Sequence, residues 1–137
     1  MTDSTSTSSP ADPAPGIGRL SGIVLDCPDP LGLAAFYSRL TGWPVHDSSD
    51  ASWALIVTPY PGDVALAFQQ VADYVAPVWP TTEQPQQFHL DLDVDDLDAG
   101  EAAVLALGAV RHAYQPGEQF RVFLDPAGHP FCLCVDD

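Results

Sequence analysis

From Leu20 the chain alternates between apolar and polar positions. Ile23 and Leu25 fall on one side of an extended segment, and Gly22, Val24 and Asp26 on the other. The period then lengthens. Asp29 supplies a helix N-cap and Pro30 a first helical residue, and Leu33, Phe36, Tyr37 and Leu40 recur at helical spacing until Gly42 ends the run. Extended segments follow near Val45, from Trp53 to Thr58 and from Val64 to Val71, with Pro61-Gly62-Asp63 as a turn.

The same grammar restarts at Phe88. Leu90, Leu92 and Val94 share one face of a strand, and His89, Asp91 and Asp93 share the other. Asp96 caps a helix whose stripe is expected to be Ala99, Ala102, Leu105 and Ala106, and Gly108 closes it. Strands are expected from Val110 to Tyr114, from Phe120 to Leu124 and from Phe131 to Val135, with a turn at Asp125-Pro126-Ala127-Gly128. Gly42 lies 20 residues after Gly22, and Gly108 lies 19 after His89. The chain is therefore an internal repeat. The expected fold class is α+β: two βαβββ modules forming a curved mixed sheet around one cavity.

Module one covers about residues 20–75 and module two about 88–136. Between them, residues 76–87 carry Pro77, Pro80 and Pro85 and read as an extended linker. Residues 1–17, rich in Ser, Thr, Pro and Asp, read as a flexible tail, and 18–137 as a single domain. Each half covers one sheet face with its own helix. The bare faces carry Asp26, His89, Asp91 and Asp93, which do not fill a dry core without partners. A solvated pocket between the halves accommodates them.

Composition narrows the partners. A net charge of −15, with no Lys and four Arg, repels phosphate backbones and anionic membrane surfaces. The expectation is no nucleic acid and no membrane. No stretch of about 18 apolar residues and no basic-then-apolar leader is present, which points to a cytoplasmic protein. Three cysteines, Cys27, Cys132 and Cys134, do not make a disulfide framework. Gly-rich phosphate loops, nucleophile elbows and Cys-x-x-Cys pairs are absent from the sequence.

Several side chains are candidates for the site. His89 is a cavity-wall hydrogen-bonding group, a metal ligand or an acid/base group, with Asp26 and Asp91 beside it for proton transfer. Asp93 shares that face or reaches solvent at the strand end. Trp53 and Trp79 offer planar surfaces, whereas Phe68 is expected to pack under the helix. Arg121 binds an anionic ligand group or pairs with a nearby carboxylate.

Two motifs carry a family resemblance: Asp-Pro-x-x-Leu-Ala-x-Phe-Tyr-x-x-Leu-x-Gly at Asp29 to Gly42, and Leu-Asp-Pro-x-Gly-x-Pro at Leu124 to Pro130. With the repeat, they resemble the vicinal oxygen chelate superfamily of glyoxalase I, bleomycin-resistance proteins and extradiol dioxygenases, in its glyoxalase-like branch. The resemblance implies metal-ligand positions in the first and last strand of each half. Here these are Gly22, His89, Cys132 and either Ala67 or Gln69. Gly22 has no donor, and Cys132 stands where Glu is usual. The resulting expectation is a homodimeric small-molecule binder with no cofactor. Its ligand would be an aromatic or polyketide-like metabolite or drug, held by Gln69, Trp53, Arg121, Cys132 and Asp93. One alternative is a lyase, isomerase or dioxygenase with a single divalent ion on His89, Cys132 and Gln69. The other is a metal-free acid/base enzyme using His89 with Asp26 or Asp91.

Overall fold

The computed structural model describes residues 15–16, 20–60, 64–85 and 89–135. The Pro61–Asp63 turn, Phe88 and nearly all of the N-terminal segment lie outside the described residues. The first half runs β1 (Gly22–Cys27), α1 (Pro30–Thr41), β2 (Trp53–Ile56) and β3 (Ala65–Gln70). The second runs β4 (Leu90–Asp93), α2 (Leu97–Ala106), β5 (Val110–Arg111), β6 (Phe120–Leu124) and β7 (Pro130–Cys134). The expected strand near Val45 is reduced to a single bridge with Ile56. The one expected from Val110 to Tyr114 is two residues long.

The two sheets have matching orders, β1-β3-β2 and β4-β7-β6-β5. In each, the first strand runs parallel to the last, and the remaining pairs are antiparallel. This is the α+β repeat expected. The sheets remain separate hydrogen-bonded units, and β1 and β4 flank the seam between them.

Local chemistry explains both helices. The Asp29 carboxylate accepts from the Gly32 amide at 3.2 Å, and that of Asp96 accepts from Ala99 at 2.9 Å. Gly42 closes α1 at φ +78°, a left-handed conformation in which side chains other than glycine are strained. The buried face of α2 differs from the expected alanine stripe. Val104 is buried, and Leu97 and Leu107 pack against the core. Ala99, Ala102, Leu105 and Ala106 face outward. The larger side chains bury more apolar area, and Gly100 lets the helix approach Leu133 and Val94.

One core serves both halves. Tyr37 of α1 stacks on Phe68 of β3, with ring centroids 5.6 Å apart. Phe36 and Tyr37 also meet Phe131 of β7, at 6.0 and 6.3 Å, and Phe131 stacks on Phe123 at 5.9 Å. Helix α1 thus bridges the two sheets from beneath. Phe68 packs under the helix as the alternation predicts. Truncating Phe131 to Ala is expected to cost about 3–5 kcal/mol. Because the cluster is shared, urea unfolding of that variant followed by tryptophan fluorescence and by circular dichroism should remain one coincident transition. Two separated transitions would show that the halves fold independently.

Candidate functional site

The β1–β4 seam opens into a cavity of about 360 Å³. Both halves and the linker line it. Its walls are mainly apolar, among them Ile23, Val24 and Leu90, with Tyr37 and Tyr74 as aromatic surfaces. The polar groups are Asp26, Gln84, His89 and His129. Strand pairing explains who reaches it. Val24 and Asp26 face away from the buried side of β1, and His89 stands at the entry to β4.

The expected site residues therefore divide. Asp26 and His89 line the cavity. Asp91 lies beside His89, with Oδ1 3.2 Å from Nε2. Asp91 is the register partner of Cys132 on the adjoining strand. Gln69 and Trp53 are partners of one another on β3 and β2, both exposed, and neither lines the cavity. Asp93 lies further along β4, in a separate shallow depression with Val94, Asp95 and Val135. Arg121 is a correction. It faces α2, where it pairs with Asp98 at 2.8 Å and Glu101 at 3.0 Å. In a strand, Arg121 and Phe123 share a face, and Phe123 is buried in the core, so the guanidinium cannot reach the concave side. Trp79 packs against His112 and Tyr114 in the second half.

A hydrogen-bonded network forms the floor of the seam. Asp125, 3% exposed, is the one charged side chain buried among the described residues. Its Oδ1 accepts from the Ala127 and His129 amides at 2.8 and 3.0 Å. Its Oδ2 accepts from the Tyr37 hydroxyl and from His129 Nδ1, each at 2.7 Å. The carboxylate is thus satisfied by four donors, which a buried charge requires. The far nitrogen of His129 lies 2.7 Å from the Asp26 carbonyl, setting the β6–β7 turn against β1. Tyr74, in the segment that follows β3, donates to the Ala127 carbonyl at 2.9 Å, 3.2 Å from His129 Nε2. Gly128 permits the tight turn, at φ +89°, and a Cβ there would sit 2.7 Å from Ala76. Sequence reasoning missed Asp125, His129, Tyr37 and Tyr74 as site residues. The available signal was the four-residue step from Asp125 to His129 across a Pro-x-Gly turn.

Burial and neighbouring carboxylates shift several acidities the same way. Burial, reinforced by Asp91, pushes the Cys132 thiol up to about 12. Burial pushes Cys27 up to about 11. Tyr37 and Tyr74 are raised by burial and then by Asp125.

Strand register fixes the positions at which the family resemblance implies divalent-ion ligands. Val24 pairs with Ala67 on β1 and β3, as Asp91 pairs with Cys132 on β4 and β7. With Gly22 matching His89, the counterpart of Cys132 is Ala67, and Gln69 corresponds to Cys134. The first half therefore offers Gly22, Val24 and Ala67 where the second offers His89, Asp91 and Cys132. An ion bridging the halves does not fit these residues.

A glyoxalase-like domain family model matches residues 22–134. The chain belongs to the glyoxalase-like domain family, within the vicinal oxygen chelate superfamily. This glyoxalase-like chain is similar in structure to a glyoxalase/bleomycin resistance protein/dioxygenase family enzyme from Burkholderia phytofirmans PsJN. Identity is 18% and the TM-score 0.66, over 86% of this chain and 98% of that one. A glyoxalase-related enzyme from Fulvimarina pelagi gives 20% identity and a TM-score of 0.60, over 88% and 89%. Lactoylglutathione lyase from Agrobacterium tumefaciens gives 16% and 0.56, over 88% and 95%. At such identities the likeness establishes the fold. No curated protein matches the chain. Among the described residues, no helix of the glyoxalase-like chain is long and apolar enough to cross a membrane.

Asp125→Ala is expected to lose about 3–5 kcal/mol, since it strands the donors of a buried pair; denaturant titration measures it, and a loss below about 1 kcal/mol would remove the network from its structural role. The raised thiols are neutral in the folded state, so their stabilisation is complete below their ordinary value of 9.0 and is lost as pH climbs through about 11 and 12. The urea midpoint should accordingly fall across that alkaline window, with Tyr37 and Tyr74 adding in the same direction; a flat midpoint would contradict it.

Proposed function

We propose that this chain binds a small, largely apolar organic molecule in the seam cavity, with an aromatic or polyketide-like metabolite or drug as the ligand class. One observation carries the reading: a cavity of about 360 Å³ is walled by both halves and the linker. That volume lies within the range of about 300–1000 Å³ usual for small-molecule sites. Tyr37 and Tyr74 supply faces for a planar ring. Asp26, Gln84 and His89 supply a few orienting polar groups against an apolar wall. Gly22, Val24 and Ala67 favour binding without an ion shared between the halves.

A second reading rests on the His89–Asp91 contact of 3.2 Å. A carboxylate beside an imidazole orients the ring for proton transfer, and His89 is 44% exposed at the cavity edge. On this reading the chain is a metal-free acid/base enzyme acting on the same ligand class, and His89→Gln removes turnover while ligand affinity stays within a few-fold.

The neutral dye N-phenyl-1-naphthylamine tests the cavity. Its fluorescence should rise saturably on adding the protein. Val24→Phe and Val75→Trp, which fill the cavity from β1 and from the segment after β3, should each weaken binding about tenfold, or about 1.4 kcal/mol. Dye affinity unchanged in both folded variants would sink the proposal.

A further inference from the structure

The charges along the seam do not balance. His89 has Asp91 at 3.2 Å and His129 has Asp125 at 2.7 Å, so each imidazole is answered by a carboxylate of its own. Asp26 is a third carboxylate. It shares the cavity face of β1 with Val24, and among the described residues its side chain has no hydrogen-bonded or ion-paired partner. The chain has no Lys. Of the described arginines, Arg111 and Arg121 pair with Glu101 and Asp98 of α2, and Arg39 is exposed on α1. None of the three lines the cavity. Even with both imidazoles protonated, one negative charge, that of Asp26, stays without a counter-charge.

We propose that the occupant of the seam cavity is an organic cation, an amine or quaternary ammonium with an apolar body, whose positive centre sits at Asp26. The inference rests on the cavity reading and adds the charge of the ligand. An apolar wall strengthens an ion pair, because less solvent screens it. Tyr74 lines the same cavity and brings an aromatic ring. A cation over such a ring is attracted by its quadrupole. The two groups are neighbours: burial comes first in holding the Tyr74 phenol above its ordinary range, then Asp125 and Cys27, and the Asp26 charge adds to them. Both are also fixed in place. The Asp26 carbonyl lies 2.7 Å from His129 Nε2, and the Tyr74 hydroxyl donates to Ala127 at 2.9 Å, which holds the ring in the wall. Ile23, Val24 and Leu90 receive the apolar remainder of the ligand. The net charge of −15 supplies a field that draws cations and repels anions.

Three probes of like size and different charge make the test: phenethyltrimethylammonium, the neutral ketone benzylacetone, and phenylbutyrate. Each competes with N-phenyl-1-naphthylamine for the full chain at neutral pH. The cation should displace the dye at a concentration about tenfold below that of the ketone, and the carboxylate should be weaker than both. Asp26→Asn should bring the cation-to-ketone affinity ratio to within about twofold of one. Glu118→Gln, an equal change of charge on the exposed segment between β5 and β6, should leave that ratio as it is in the parent. Raising sodium chloride from about 0.05 to about 0.5 M should weaken the cation relative to the ketone. A ketone or carboxylate that binds as well as the cation overturns the proposal, and so does a cation preference that survives Asp26→Asn. If Asp26→Asn fails to fold, the salt series on the parent decides, and a ratio insensitive to salt rejects the ion pair. Dye binding without charge preference rejects this inference and leaves the cavity reading intact. No saturable binding of dye, ketone or cation rejects both.

Discussion

The buried carboxylate of Asp125 holds the arrangement together. Four donors converge on it, one of them from α1 in the first half and two from His129 in the second. An ionised group so enclosed is tolerated only when fully partnered. That requirement fixes the β6–β7 turn against α1. His129 then carries the constraint onward to the β1 carbonyl of Asp26. The two sheets do not pair across the seam, so this polar bridge and the aromatic cluster beneath it set their separation. The cavity is the space that remains.

The apolar and polar contacts divide the labour. Phe36, Tyr37, Phe68, Phe123 and Phe131 supply bulk attraction, which is tolerant of small shifts. The Asp125 network supplies direction, because hydrogen bonds weaken steeply off axis. Tyr37 belongs to both. Its ring stacks in the core and its hydroxyl donates to the carboxylate. Tyr74, after β3, and Trp79 of the linker both contact the second half.

The duplication is symmetrical in backbone and unequal in chemistry. Equivalent strand pairs place Val24 and Ala67 in one half and Asp91 and Cys132 in the other. Equivalent geometry therefore supports an apolar wall on one side and a donor cluster on the other. His89 stands where the two regions meet, lining the cavity and belonging to the cluster.

Much of this was legible along the chain. Strand alternation, the caps Asp29 and Asp96, and Gly42 and Gly108 depend on neighbours a few residues apart, and these local rules yielded the repeat, the element order and the shared face of His89 and Asp91. Other features depend on which distant residues meet. Arg121 was a plausible anion ligand until its strand placed it against Asp98 and Glu101 of α2. The choice between Ala67 and Gln69 required the register with β1, which a sequence with period-two alternation leaves open to a shift of two. The links from Asp125 to Tyr37 and from His129 to Asp26, separated by 88 and 103 residues, carry no local signature. Sequence alone determined the two halves and their faces, because propensity, capping and periodicity act over one turn or one strand. Tertiary structure decided the cavity, its buried anchor and the one-sided donor cluster, because each is made by groups brought together only when the halves close on a common core.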